Sequence, residues 1–284
     1  MTTTAIETKK KIDVVTIRPS KGWVGLHLRD IWLYRELVYF LTWRDLKVRY
    51  KQSVLGVLWA ILKPFLSMVV FSVLFGKLAK LPSDGIPYPL FYFVGNLPWD
   101  LFSTSLSVAS KSMVTSSNMV SKIYFPRLII PLSSVMASVV DFLISFVILI
   151  GLMIFYKYAP TIGVLWLPVL ILLALVTALG VGFWTSALMV RYRDFNYILP
   201  FVTQLWLFIT PVLYSAKVIP QKWLWLYSLN PMTGVIESFR HCLLGTDFSI
   251  SPLLMVISIL ISILMFISGL FYFRRMEREF ADMI

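Results

Sequence analysis

Long apolar runs dominate the hydropathy pattern of this chain, at about 54–78, 90–110, 128–156, 164–190, 197–216 and 251–273. Each is near or above the ~20 residues that cross ~30 Å of hydrocarbon as an α-helix, so the pattern predicts six transmembrane helices. Ahead of the first run, RDIWLYRELVYFLTWRDLKVRYKQ at 29–52 has an apolar middle broken by Arg35 and Glu36 and an end bearing Arg44, Asp45, Lys47, Arg49 and Lys51. That mixture predicts an amphipathic helix lying in the membrane interface, because too little soluble chain surrounds it to bury it as a core helix. Between the fifth and sixth runs, Lys217 to Asp247 is rich in aromatic and aliphatic residues but is broken by Pro220, Asn230 and Pro231, and neither half is long enough to span. Asn230 followed by Pro231 reads as a helix N-cap with a first-turn proline, and Gly245 reads as the stop. Two short helices on the outer side are expected there, either dipping back into the membrane or lying on its surface. The predicted fold class is thus an all-α integral membrane protein.

Composition agrees with the pattern. Of 284 residues, 58% are hydrophobic and 14% charged, and the mean hydropathy is +0.81, which excludes an ordinary water-soluble globular enzyme. The net charge of +12 would suit a nucleic-acid binder, yet the lysines and arginines flank apolar runs. Positive-inside topology accounts for them without a nucleic-acid partner, and the basic block before the first run places both termini in the cytoplasm. The first thirty residues carry Lys9, Lys10, Lys11, Arg18, Lys21 and Arg29 with no apolar core, so they read as a cytoplasmic tail rather than a signal peptide. The expected organisation is a tail at 1–28, an interfacial helix at 29–52, a membrane domain at 53–273 and a second tail at 274–284.

Chemistry-bearing motifs are few. Cys242 is the one cysteine, and His27 and His241 stand far apart, which leaves redox and metal chemistry without their usual ligands. Gly76-Lys77 is followed by Leu78, so no phosphate-binding loop of the form G-x-x-x-x-G-K-[ST] is present, nor is a peptidase or hydrolase motif. Neither a resident metal nor a cofactor is expected. Lys63, Asp100 and Asp141 fall inside apolar runs, where an ionisable group must face protein or water. A proton relay through the two acids and a structural pair such as Lys63 with Asp141 both remain open. Ala174, Ala178, Gly182 and Ser186 form a four-residue repeat of small side chains along one face of the fourth run, suited either to a dimer seam or to close packing within one chain. Pro200 and Pro211 are expected to bend the fifth.

Five stretches together carry a resemblance: IRPSKGW at 17–23, WRDLKVRYKQSVLGVLWAILKP at 43–64, YFPRLIIPLSSVMASVVDF at 124–142, VRYRDFNYILPF at 190–201 and LNPMTGVIESFR at 229–240. In this order and spacing the chain resembles the membrane subunit of ABC exporters for lipid-linked polysaccharides, closest to the O-antigen exporters of Gram-negative bacteria. Capsule and teichoic-acid exporters share that architecture. The resemblance implies a homodimer in the inner membrane, served by two copies of a cytoplasmic ABC ATPase that carries the ATP and Mg. Its cargo would be an undecaprenyl-diphosphate-linked glycan. It further implies a coupling loop at 116–127 and outer gate helices at 220–244.

On that plan the ATPase dock is expected to use Arg44 and Arg49 of the interfacial helix, Lys122, Tyr124, Phe125 and Arg127 of the coupling loop, and Arg191, Arg193 and Asp194 of the other inner loop. The outer gate is expected to use Trp223, Trp225, Asn230, Pro231, Glu237 and Arg240. Trp59, Tyr92, Trp99, Trp206 and Phe208 are expected to line part of the path, since aromatic faces stack on sugars while leaving their hydroxyls free. Two rival readings share the hydropathy: an ion-coupled secondary transporter and a membrane glycosyltransferase or ligase.

Overall fold

The computed structural model describes residues 32–51, 56–123, 125–246, 252–277 and 279–280, and among them all regular structure is helical. The tail at 1–28, both ends of the 29–52 element, Tyr124 and most of the final residues lie outside this description.

In chain order the helices are α1 (Arg35–Lys51), α2 (Gly56–Phe71), α3 (Tyr88–Thr115), α4 (Ser117–Lys122), α5 (Ile129–Phe155), α6 (Leu167–Arg191), α7 (Phe195–Ile209), α8 (Gln221–Ser228), α9 (Pro231–Leu244) and α10 (Pro252–Met276). A π-helical stretch, Ser72–Leu78, prolongs α2. By length and composition, four helical segments among the described residues can cross a membrane: Leu58–Leu78, Ile129–Phe155, Ile162–Arg191 and Met255–Met276. Helix α3 is long enough, at 28 residues or about 42 Å, but Asn96, Asp100, Ser103, Thr104 and Ser107 interrupt its apolar character. Helix α7 is apolar but has only 15 residues, about 22 Å.

The fifth run was expected to continue to residue 216, and the helix stops at Ile209 instead. Pro200 lies inside α7, whereas Pro211 lies beyond it in irregular backbone.

Helix α3 is the centre of the fold. It packs between α5 and α6, while α10 covers the far side of α6 and α1 lies along α5. The small-residue repeat of α6 serves this packing: Ala174, Ala178, Gly182 and Ser186 are all buried within the single chain. A Cβ on Gly182 would stand 2.8 Å from that of Ala109 in α3. Of the two roles open to that repeat, the chain uses close intrachain packing. On its other side α6 approaches α10 backbone to backbone at Gly180, where a Cβ would stand 2.6 Å from the nitrogen of Phe266. Trp184 stacks on Tyr272 at 4.0 Å beside that contact, and Thr177 bonds Ser262 at 3.0 Å.

Antiparallel threading sorts the connections to two ends. One end gathers 79–87, 156–166 and the 210–246 region, joined by the Tyr88 hydroxyl donating to the Leu213 carbonyl at 2.7 Å and Thr161 to the Cys242 carbonyl at 2.7 Å. The other gathers α4, the turn at 192–194 and the end of α10.

Candidate functional site

At the first of these ends the chain that follows α7 leaves the helix while still inside the protein: Thr210 and Val212 are fully buried, and Leu213 nearly so. Non-helical backbone at such depth needs internal partners for its carbonyls. Arg240 of α9 supplies them. Its Nη1 donates to the Pro211 carbonyl at 2.7 Å and the Tyr214 carbonyl at 3.2 Å, and its Nη2 donates to the Val212 carbonyl at 2.7 Å. The guanidinium lies over the Phe91 ring at 3.9 Å and pairs with Glu237, one turn earlier, at 3.2 Å. Arg240 is 1% exposed. A rigid fork with several donors suits this task where a lysine would not.

Helix α9 begins as its residues predict. Asn230 is extended and its Oδ1 accepts from the Met232 N–H at 3.1 Å, Pro231 occupies the first turn, and Gly245 ends the helix in the left-handed conformation at φ +68°. The same Asn230 oxygen accepts from the Trp206 indole at 3.0 Å, and its Nδ2 donates to Thr210 at 2.8 Å. One side chain therefore caps α9 and ties it to the end of α7. Trp223 and Trp225 of α8 are exposed, with Lys222 over the Trp223 ring. Asp84 accepts from Ser215 at 2.8 Å and faces Lys217 at 3.8 Å, which joins the 79–87 loop to the unwound segment.

At the opposite end the 116–127 loop is fastened to α10. Glu277 accepts the backbone N–H of Arg127 at 3.2 Å and receives Nη1 of Arg274 at 2.9 Å, while the Arg127 guanidinium donates to the Glu277 carbonyl. Phe125 is buried and Lys122 exposed. Helix α1 is held on α5 by Asp141, which pairs with Arg49 and accepts from the Tyr50 hydroxyl. Burial and the Asp141 carboxylate both raise the Tyr50 phenol above its ordinary range, so it keeps its proton and serves as a donor. Asp45 receives Arg44 at 2.9 Å and Ser134 of α5 at 3.3 Å. Arg191, Arg193 and Asp194 are exposed, Arg191 lies over the Tyr192 ring, and among the described residues Asp194 has no cation within ion-pair distance.

The aromatic residues expected along the path divide. Trp59 is 51% exposed and Phe208 is also open. Tyr92 and Trp99 are 2% and 4% exposed, so within one chain they pack the interior instead of presenting a wall. Tyr92 stacks on Phe71 at 5.1 Å, and Trp99 meets Phe102 and Trp206. Trp206 is half-buried and committed to Asn230.

Asp141 does not pair with Lys63. Lys63 approaches Asp100 at 4.0 Å instead. Glu277, Tyr50 and Asp84 were not singled out by sequence reasoning; each meets its partner across a large stretch of chain, and no local motif announces it. Among the described residues no group of three or more metal-ligating side chains comes together.

Residues 36–244 match the family described as ABC-2 type transporter, and the chain belongs to that family of membrane proteins. It is 32% identical over 265 residues to the O-antigen export system permease protein RfbA of Myxococcus xanthus, covering 90% of this chain and 98% of the relative. It is 29% identical over 252 residues to the protein of that name from Klebsiella pneumoniae, covering 88% and 95%. The polysialic acid transport protein KpsM of Escherichia coli is 24% identical over 207 residues, covering 71% and 78%.

Proposed function

We propose that this chain is the membrane subunit of an ABC exporter that moves an undecaprenyl-diphosphate-linked O-antigen polysaccharide across the bacterial inner membrane. The observation that carries the reading is the near full-length similarity to O-antigen export permeases. The absence of a phosphate-binding loop in the sequence supports a transport subunit rather than an enzyme, with ATP hydrolysed on a partner ATPase. A capsule exporter is the second reading, supported by the weaker and shorter similarity to the polysialic acid transport protein.

In this reading six helices span: α2 with its π-helical extension, α3, α5, α6, α7 and α10. The domain runs from 53 to 273, and both termini are cytoplasmic. Helix α7 is shorter than a full bilayer, and the unwound segment held by Arg240 completes its crossing under cover of protein. Helices α8 and α9 form the outer gate. Two copies assemble, each served by one of two ATPase subunits docked on α1, the 116–127 loop and the turn at 191–194. Force applied there reaches α10 through Arg127 and Glu277, and α5 through Arg49, Tyr50 and Asp141.

The test is a cell lacking this chain. Lipid-linked glycan is expected to accumulate on the cytoplasmic face, with export restored by the wild-type chain only when an ABC ATPase is present. Normal export in that cell, or restoration without any ATPase, overturns the reading.

A further inference from the structure

Helix α3 is enclosed on nearly all sides, and the one stripe it leaves open is polar. Between Leu90 and Met113 the residues that are not buried are Asn96, Asp100, Ser103, Thr104, Ser107 and Lys111, with Val108 the one apolar residue among them. At about 100° per residue the six polar positions fall within an arc of about 100°, and from Asn96 to Lys111 they run about 22 Å along the helix. That is most of the ~30 Å hydrocarbon thickness.

Three further observations mark this stripe as wet. Asp100 and Lys63, across from it on α2, pair at 4.0 Å with the Lys63 side chain 69% exposed, and an intramembrane charge pair belongs against protein or a water-filled cavity rather than lipid. Asn96, Asp100 and Thr104 share a crevice with Ser138, Asp141 and Ser145 of α5; its volume is about 20 Å³, enough for a water molecule. Ser138 lines that crevice, is 1% exposed, and its hydroxyl has no protein partner among the described residues. A buried hydroxyl without a protein partner at a polar crevice points to water or a ligand hydroxyl.

We infer that the open stripe of α3, with Lys63, is the wall on which a hydrated, hydroxyl-rich chain crosses the membrane; the inference rests on the export reading above and assigns that path to residues other than the aromatic set. Hydroxyl, amide and carboxylate groups spaced about one turn apart or less exchange hydrogen bonds with water and with sugar hydroxyls along the whole stripe. Successive polar positions lie one to four residues apart, about 1.5–6 Å along the axis, so the next contact is always within a few ångströms. Such a surface holds a glycan without fixing its register. The Lys63–Asp100 pair places a cation and an anion together on the wall, so the wall stays close to neutral there.

The test uses the full chain with its ATPase in membrane vesicles, in a Cys242→Ser background. Single cysteines replace Asn96, Ser103 or Ser107 on the stripe, and Leu106 or Ala109 on the buried sides. A charged, membrane-impermeant methanethiosulfonate is expected to label the three stripe positions and to leave the two buried controls unlabelled. Trapping lipid-linked glycan by withholding ATP is expected to abolish labelling on the stripe. Labelling by a lipid-soluble maleimide alone would place the stripe against lipid and overturn the inference. Spontaneous disulfides between copies at Ser103 or Ser107 would place it under a second chain, with the same consequence. Labelling unchanged by trapped glycan would also overturn it. Solvent access is read without cargo, so its failure is distinct from a failure of the export reading, which the deletion strain decides.

Discussion

Gly95 lies beneath the guanidinium of Arg240, so close that a Cβ on residue 95 would stand 2.6 Å from Nη2 and 3.1 Å from Cζ. The glycine is what lets α3 and α9 trap an arginine between them, and the arginine in turn holds the carbonyls of an unwound segment. Gly95→Ala therefore acts at a distance from its own backbone, by pushing the fork away from Pro211 and Val212. Leaving a buried acceptor unpaired costs about 1–3 kcal/mol. Detergent-solubilised Gly95→Ala is expected to unfold several degrees below the wild type. An unchanged Tm would show that the cage has room to spare.

Arg240→Lys tests the same cage from the other side. A lysine keeps the charge but cannot place two nitrogens against three carbonyls and a ring at once. Loss of both stability and export is expected, measured by thermal unfolding and by glycan appearing at the cell surface. Wild-type behaviour in both would reduce Arg240 to a generic cation.

Asn230→Ala removes an N-cap, a change that costs about 0.5–2 kcal/mol, and also strips Trp206 and Thr210 of their partner. Asn230→Asp keeps the cap and the indole bond but loses the donor to Thr210. The alanine variant should consequently be the less stable of the two in a melting experiment. Equal stability would mean that the bonds between α7 and α9 contribute nothing beyond the cap.

Asp141→Asn weakens the seat of α1 on α5, since one carboxylate receives both Arg49 and Tyr50. Looser docking exposes the end of α1, so trypsin is expected to cut after Arg49 or Lys51 faster than in the wild type. Identical cleavage patterns would show that Thr42 and Asp45, which also bond α5, hold the helix unaided.

Asp194→Asn separates a docking role from a structural one. The side chain is exposed and has no ion-pair partner among the described residues, so protein abundance should stay near the wild-type level. An exposed pair contributes only about 0–1 kcal/mol even where one forms. Export and co-purification of the ATPase are expected to fall, and normal values for both would remove Asp194 from the dock.

The local features of this protein were open to reading from its residues. Apolar runs marked the helices α2, α3, α5, α6, α7 and α10, and four of the helical segments among the described residues are long and apolar enough to cross a bilayer. Asn230, Pro231 and Gly245 marked both ends of α9, because cap, first-turn proline and left-handed stop are set by a residue's own stereochemistry. The Ala174, Ala178, Gly182 and Ser186 repeat announced a close helix contact, though not its partner.

Tertiary structure decided the rest. Asp141 meets Arg49 and Tyr50 instead of Lys63, and Arg127 meets Glu277 at a separation of 150 residues. Tyr92 and Trp99 turn inward while Trp59 and Phe208 stay open, and α7 stops at Ile209 because Arg240 can satisfy the unwound carbonyls that follow. The physical reason lies in the solvent. In water an apolar stripe identifies the buried face of a helix, but in lipid the buried and exposed faces are both apolar, and the pattern no longer says which is which. The polar stripe of α3 does carry that information in its periodicity, and there its meaning depended on knowing which faces the other helices had covered.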